Sequence, residues 1–190
     1  MPFTFQKLDI PGVFLVEPKI FPDARGFFAE LFKSTDFQAA GIPMAIAQVN
    51  QSRSQKNVLR GLHYQLNPAA QVKLVSVTRG EIFDVAVDIR QGSLTFGRWV
   101  SARLSEKNKH ALYIPEGFAH GFCVMSDEAE IIYYCSREYA PAFDRSILWN
   151  DPSINIAWPV QDPILSAKDM SGRRLAEAEN NFEFTGVALS

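Results

Sequence analysis

Few side chains in this sequence could carry out proton chemistry. The chain has three histidines, His63, His110 and His120, and histidine suits a general base because its ordinary pKa lies near neutrality. Lys73 shares a strand face with two valines, which fits either a strand-end lysine that reaches water or a partly buried cation. Tyr133 lies in phase with apolar neighbours and is either a core residue or a proton donor. A base, a cation for an enolate oxygen and a phenol together fit proton abstraction next to a carbonyl.

Metal chemistry is the competing possibility. The pattern Pro-x-Gly-x-x-His at residues 115–120 resembles the second half of the cupin signature, in which the histidine is a metal ligand. The first half of that signature needs two histidines two positions apart, and here His63 is followed by Gln65 in the second place. One or two histidines are too few for the usual ligand sets unless carboxylates substitute. We therefore expect no metal centre.

The elements that must position these residues are strands. Gly, Pro, Asn and Asp recur at short intervals, and the segments between them alternate with a period of two. This pattern predicts strands over residues 13–17, 26–32, 45–52, 58–65, 72–78, 81–89, 97–104, 110–114, 121–126, 130–136 and 146–149. Many short strands with tight connections indicate an all-β sandwich or jelly roll. We expect a single domain over residues 1–190.

Helical signals are weaker than the strand signals. Residues 34–40 predict a short helix with a polar N-cap and Gly41 at its end. Residues 166–180 predict a second helix, loosely attached. Both helices are too short to form a layer of their own, so they are expected at the periphery.

Composition narrows the class of protein and its compartment. The 190 residues include 19 basic and 21 acidic side chains, so the chain has no overall basic field for nucleic acid. The sequence has no run of about 18 apolar residues, so no membrane span is expected. The N-terminus does not resemble a signal peptide. Cys123 and Cys135 are too few for a disulfide framework and are expected to be reduced. We expect a cytoplasmic protein without nucleic-acid or membrane partners.

Eight sequence blocks point to a known family. In order they are FPDARGFFAE (21–30), NQSRS (50–54), VLRGLHYQ (58–65), QVKLV (71–75), DVAVDIR (84–90), YIPEGFAHGF (113–122), WNDP (149–152) and LSAKD (165–169). Through these blocks the chain resembles the dTDP-4-dehydrorhamnose 3,5-epimerase family. The resemblance implies a cupin-type jelly roll, a homodimer, no metal or organic cofactor, and a dTDP-4-keto-6-deoxyhexose substrate inverted at carbons 3 and 5.

The resemblance also implies roles for individual residues. By position, His63 matches the catalytic base, Asp169 its carboxylate partner, Tyr133 the general acid and Lys73 the cation near the enolate oxygen. The matches to substrate contacts are Arg25, Glu30, Gln48, Asn50, Arg60, His120, Tyr139, Asp144 and Lys168. Among these, Arg60 and His120 match groups around the substrate, including its diphosphate, and Tyr139 matches an aromatic that stacks on thymine.

Some questions stay open at the level of the sequence. An enzyme of the same fold that inverts only one carbon is the nearest alternative, and a non-catalytic sugar-binding cupin is the alternative from another class. The polar set Gln48, Asn50 and Ser52 fits a pocket wall and a solvent face equally well. Strict alternation would point Arg60 away from His63, unless a bulge intervenes between them.

Overall fold

The computed structural model describes residues 2–186 of the chain. Its strands are β1 (Phe3–Lys7), β2 (Phe14–Pro18), β3 (Ile20–Asp23), β4 (Gly26–Ala29), β5 (Gln48–Gln55), β6 (Leu59–Gln65), β7 (Lys73–Arg79), β8 (Glu81–Asp88), β9 (Trp99–Ser105), β10 (Ala111–Ile114), β11 (Phe118–Val124), β12 (Glu128–Cys135) and β13 (Asp144–Ser146). The helices are α1 (Ser34–Ala39) and α2 (Ala167–Met170), with single 3-10 turns at Pro141–Phe143 and Leu175–Glu177.

Two antiparallel sheets form the body of the fold. One has six strands in the order β1-β2-β10-β7-β12-β5, and the other has five in the order β13-β6-β11-β8-β9. Buried side chains from both sheets share one core, including Val75, Leu112 and Ile131 from the first sheet and Phe122 and Leu104 from the second. The order and the shared core are those of a jelly roll, so the predicted fold class is confirmed.

The outer faces of both sheets are also covered. Ile147, Ile154 and Phe182, from the last part of the chain, pack on Val85 and Val87 outside the five-stranded sheet. The apolar face of β8, which carries Phe83, Val85 and Val87, is therefore the outer one. The opposite face of β8 points into the barrel and carries a carboxylate.

A β-bulge with one extra residue in β6 sets the orientation of Arg60. His63 pairs with His120 in β11, but Arg60 pairs with Phe122, so β6 contains one residue more than β11 between these two pairs. Gly61 lies in this bulge with φ +139°, a conformation that favours glycine. The bulge brings Arg60 and His63 to the same face. Strict alternation predicts opposite faces unless such a bulge intervenes.

Several predicted boundaries differ from the structure. β1 and β3 were not expected; the alternation of β1 is short, and Pro22 within β3 argues against a strand except at an edge or in an isolated hairpin such as β3–β4. The strand predicted over 26–32 ends at Ala29, and that predicted over 146–149 is instead β13, which ends at Ser146.

The helical predictions are partly confirmed. α1 is present and ends before Gly41, but Lys33 is its N-cap and no side chain caps it. The prediction over 166–180 was too long: α2 is a single turn, closed by a reciprocal capping box between Ser166 and Asp169. It is also held firmly, because Asp169 is buried against β6. The outermost parts of the predicted domain, Met1 and residues 187–190, lie outside the described residues.

The bulge generates a test of packing. Gly61→Ala would place a Cβ 2.5 Å from the Cα of Gly121, whereas Gly26, with φ +138°, has no atom within 4 Å of such a Cβ. The two positions share nearly the same positive φ, so the additional loss at Gly61 should mainly reflect overpacking and amount to about 1–3 kcal/mol. Urea unfolding of both variants measures it. Equal losses for the two would show that the strands can separate at no cost.

Candidate active site

A cavity of about 400 Å³ opens at one end of the barrel, between β5, β6, β7 and β12. Most of the predicted site residues line it: Gln48, Asn50, Arg60, His63, Lys73, Tyr133, Tyr139, Asp144 and Lys168. Gln48, Asn50 and Ser52 thus form a pocket wall rather than an open solvent face. Residues far apart in the chain meet here because antiparallel strands bring their cavity-facing side chains together.

His63 lines the cavity, and Asp169 is buried behind it. Nε2 of His63 lies 2.9 Å from Oδ1 of Asp169. The ring N–H is not aimed well at this oxygen, so the contact is a close approach of the polar ring edge to a carboxylate rather than a linear hydrogen bond. Because Nε2 faces Asp169, Nδ1 is the ring nitrogen left to accept a proton.

The carboxylate of Asp169 is fixed from several sides. The backbone N–H of Gly61 donates to Oδ1 at 3.0 Å, and the backbone N–H and hydroxyl of Ser166 donate to Oδ2 at 3.1 and 2.5 Å. Burial raises the pKa of Asp169, but the contacts from His63, Ser166 and Gly61 outweigh it and hold that pKa well below the ordinary value. Asp169 is therefore a permanent negative charge behind the histidine.

His63 is tuned to remain neutral. Burial lowers its pKa, and the positive charges of Lys168 and Lys73 lower it further, while contact with Asp169 acts in the opposite direction. The net pKa is below the ordinary histidine value. A histidine that is unprotonated at neutral pH can act as a base without first losing a proton.

Lys73 supplies positive charge at the cavity wall. It begins β7, beside Cys135 of β12, and among the described residues its ammonium makes no salt bridge. Burial lowers its pKa, while the nearby groups Cys135, Asp144 and Asp84 act to raise it. A cation without a close partner, in a partly buried cavity, is available to a developing negative charge.

Tyr133 lies on β12 across the cavity from β6. Its hydroxyl is 3.0 Å from the hydroxyl of Ser52. Burial raises the pKa of Tyr133 above its ordinary value, against the opposing effect of the Ser52 contact. The phenol therefore keeps its proton at neutral pH, as a proton donor must.

The mouth of the cavity holds a polar network. Tyr139 donates from its hydroxyl to Oδ2 of Asp144 at 2.9 Å, and Lys168 pairs with the same oxygen. Gln48 accepts from the backbone N–H of Tyr139 at 2.7 Å and donates to Asn50. Because Tyr139 is 53% exposed, its ring can stack on a flat ligand group.

His120 is placed differently from its predicted role as a substrate contact. It is buried beneath the cavity, does not line it, and its Nε2 lies 2.7 Å from Oδ1 of Asp84. Asp84 is fully buried, and this burial raises its pKa while His120 acts to lower it. Period-two alternation places Asp84 on the face of β8 opposite Phe83 and Val85, but it does not say which of the two faces points into the barrel.

Arg25 and Glu30 do not line the cavity either. Arg25 lies at the turn of the β3–β4 hairpin, where it pairs with Asp23 at 2.6 Å and has 90% of its side chain exposed. Glu30 follows β4 and borders a separate surface depression with Phe21 and Phe28. Within one chain, the hairpin is remote from His63.

Three further features concern metal ligands, thiols and membrane spans. Residues 2–186 contain no group of three or more histidine, cysteine or acidic side chains placed to hold a metal ion. Cys123 and Cys135 are buried free thiols, as predicted. In the same range, no helix has the length and apolar character needed to cross a bilayer.

The fold and cavity define a class of protein: a cupin-type jelly roll whose cavity holds a histidine–carboxylate pair, a lysine and a tyrosine. The family model for dTDP-4-dehydrorhamnose 3,5-epimerase matches residues 7–177. The chain belongs to this family.

Individual relatives agree with this assignment. A protein from Shigella flexneri named dTDP-4-dehydrorhamnose 3,5-epimerase is 56% identical over 91% of this chain and 96% of its own length. A Legionella pneumophila crystal structure of dTDP-6-deoxy-D-glucose-3,5-epimerase, in complex with dTDP-4-keto-L-rhamnose, has a TM-score of 0.89 and 47% identity, covering 92% of this chain and 94% of that one. A 3'-monoepimerase from Streptomyces bikiniensis, in complex with dTDP-quinovose, has a TM-score of 0.85 and 39% identity, covering 90% and 87%.

The contact between His63 and Asp169 predicts a specific titration. Asp169→Asn removes the negative charge that raises the pKa of His63, so the ring should titrate at still lower pH than in the parent. Two-dimensional NMR of the histidine ring signals measures this. Asp162→Asn removes the same charge from an exposed position and should leave the His63 titration unchanged. A His63 titration that is unaffected by Asp169→Asn would separate the carboxylate from the base.

Proposed function

We propose that this chain catalyses the 3,5-epimerisation of dTDP-4-dehydro-6-deoxy-D-glucose to dTDP-4-dehydro-L-rhamnose. The observation that carries the assignment of roles is that His63, backed by buried Asp169, opens on the same cavity as Lys73 and Tyr133. The reaction runs within a single domain, and its substrate is a nucleotide sugar like the one bound in the Legionella structure.

Proton abstraction begins the reaction. The ketone at carbon 4 acidifies the protons on carbons 3 and 5, because the electron pair left behind spreads onto the ketone oxygen as an enolate. Nδ1 of His63 takes the proton, and Asp169 stabilises the imidazolium that forms. The lowered pKa of His63 ensures that the base is ready at neutral pH.

Lys73 stabilises the enolate oxygen. Its ammonium is partly buried and has no salt-bridge partner among residues 2–186, so its charge is poorly screened by water. Coulomb interactions strengthen as the effective dielectric constant falls, and a fixed cation in such a site stabilises charge that develops there. A metal ion is not needed for this step, since the lysine supplies the charge.

Tyr133 returns a proton from the opposite side. Inversion requires that the donor and the base lie on different faces of the sugar ring, and β12 and β6 belong to different sheets of the barrel. The phenol is protonated because burial raises its pKa. Protonation of the enolate carbon by Tyr133 then leaves the carbon inverted.

The cavity wall and mouth hold the nucleotide. Nε of Arg60 donates to the hydroxyl of Ser54 at 3.0 Å, which leaves other guanidinium donors for the diphosphate. Lys168 adds positive charge at the mouth, and the exposed ring of Tyr139 stacks on the thymine base. Gln48 and Asn50 hydrogen-bond the polar groups between these ends.

The protein works as a homodimer in which each hairpin serves the other subunit. The β3–β4 hairpin exposes Phe21 and Phe28, at 42% and 64%, and their ring centroids lie 6.4 Å apart on one face of the hairpin. An exposed apolar surface of this kind favours association. Arg25, at the turn of this hairpin, and Glu30, just after it, do not line the cavity of their own subunit. Pairing with a second copy reconciles their proposed role with their position.

The nearest alternative is inversion at one carbon only. The similarity to a structure described as a 3'-monoepimerase favours keeping this alternative. Counting the positions that exchange hydrogen with solvent separates the two activities, and absence of any exchange would support a non-catalytic sugar-binding cupin. We place the enzyme in the cytoplasm, because its free thiols Cys123 and Cys135 suit a reducing compartment.

Two variants test the base and the acid in one experiment. In deuterated water, His63→Asn should lose both deuterium incorporation and inversion by on the order of 100-fold or more, because an amide cannot accept the proton. Tyr133→Phe should still incorporate deuterium, since His63 can remove and return a proton on the same face, while net inversion falls at one carbon or both. Time-resolved proton NMR of the dTDP-4-keto-6-deoxy sugar follows both quantities.

The same spectra identify failure. A folded His63→Asn protein with a rate near that of the parent would overturn the base assignment. If Tyr133→Phe inverts both carbons as fast as the parent does, then Tyr133 is a packing residue, and water or another side chain is the donor.

Mixed dimers test the hairpin. His63→Asn disables the base of its own cavity, and Arg25→Glu disables the hairpin that reaches the partner's cavity. A random mixture, formed by co-expression, should recover about a quarter of the parent activity, because half of the dimers then contain one intact site. Mixing His63→Asn with Lys73→Ala is the matched control and should recover nothing, since each cavity keeps one defect. No recovery in the first mixture would show that Arg25 serves its own subunit.

A further inference from the structure

The hydroxyl of Tyr133 has one hydrogen-bonding partner among the described residues, and it is Ser52 at 3.0 Å. Ser52 has no other partner for its hydroxyl in the same range. In the ladder between β5 and β12, Ser52 pairs with Ile131, and Asn50 pairs with Tyr133. Ser52 and Tyr133 are therefore diagonal neighbours on the cavity face, a spacing that an aromatic side chain can bridge.

We propose that Ser52 is a positioning residue for the general acid. Its hydroxyl donates to the phenol oxygen of Tyr133, so that the phenol proton points into the cavity. The inference rests on the proposed function, in which Tyr133 is the proton donor. It adds a residue to the reaction that the sequence treated only as part of a polar strand face.

Proton donation creates the need for such a partner. In the donating step the O–H bond of Tyr133 breaks, a C–H bond forms with the electron pair of the enolate carbon, and a phenolate remains. Solvent water returns a proton to the phenolate before the next turnover. Burial disfavours this anion and raises the pKa of Tyr133, whereas the contact with Ser52 and the charge of Arg60 lower it. Ser52 thus stabilises the charge at the moment it forms.

The direction of the hydrogen bond follows from the proposed role of Tyr133, because the distance between the two oxygens does not fix it. Either hydroxyl could donate in this pair. If Tyr133 donated to Ser52, its proton would point at β5 and away from the substrate. If Ser52 donates, the proton of Tyr133 is free for the enolate, and the same hydrogen bond strengthens once the phenol becomes a phenolate.

A second serine on the same strand provides contrast. Ser54, two residues along β5, accepts a hydrogen bond from Nε of Arg60 at 3.0 Å. The two hydroxyls point to the same side but reach different groups: Ser52 reaches the proposed acid, and Ser54 reaches the proposed diphosphate ligand. Their removal should therefore affect different kinetic parameters.

The test compares matched serine-to-alanine variants. Ser52→Ala should lower kcat for net inversion by about tenfold, the equivalent of one hydrogen bond to a charged group, with little change in KM. Deuterium incorporation should fall less, so the ratio of exchange to inversion rises. Ser52→Thr retains the hydroxyl and should restore the ratio. Ser54→Ala should instead raise KM. Ser76→Ala removes a buried hydroxyl that has no hydrogen-bonding partner among residues 2–186 and should match the parent.

A double variant makes the result specific to Tyr133. In the Tyr133→Phe background, Ser52→Ala should cause no further change in the ratio of exchange to inversion, because the group it positions is gone. A further rise in that background would show that Ser52 acts elsewhere, and would overturn the proposal.

The remaining outcomes separate this inference from the proposed function. If Tyr133→Phe raises the ratio but Ser52→Ala leaves it at the parent value, then Ser52 does not position the acid, and the proposed function stands. If Tyr133→Phe itself leaves the ratio unchanged, then Tyr133 is not the donor, and both proposals fail for that residue.

Discussion

The contact between His63 and Asp169 is the interaction on which the rest of the site depends. It joins the middle of β6 to the single turn of α2, and the same carboxylate accepts from the backbone N–H of Gly61. One buried charge thus anchors α2, supports the bulge and orients the base. Its own pKa remains low only because these contacts offset the effect of burial.

Burial acts on two of the three proposed reacting groups in the directions that their roles require. Desolvation penalises the charged form of every group. It therefore lowers the pKa of His63, which must be neutral, and raises the pKa of Tyr133, which must be protonated. Lys73 is the exception, since the same effect disfavours its cation, and nearby Cys135, Asp144 and Asp84 counteract it.

The mutual arrangement of the proposed groups comes from the register of the sheets rather than from any local motif. β12 aligns with β7 so that Cys135 faces Lys73, and with β5 so that Tyr133 faces Asn50. A shift of β12 by one residue would turn Tyr133 and Cys135 to the outer face, away from the side chains of β5 and β7 that they face here. The covered outer faces make such a shift costly, because they also bury apolar residues.

The sequence by itself determined the all-β class, most strand positions and most of the proposed site residues that line the cavity, because alternation and motif blocks are local properties. It could not determine which face of a strand is the inner one. Asp84 lies on the inner face of β8 and is fully buried. The apolar face of β8 is the outer one, because the last part of the described chain covers it. Only the tertiary structure aimed Arg60 and His63 at one cavity through the bulge at Gly61. Only the tertiary structure, likewise, shows that His120 is buried against Asp84 and that Arg25 lies on the hairpin outside the cavity. These placements depend on contacts between distant segments.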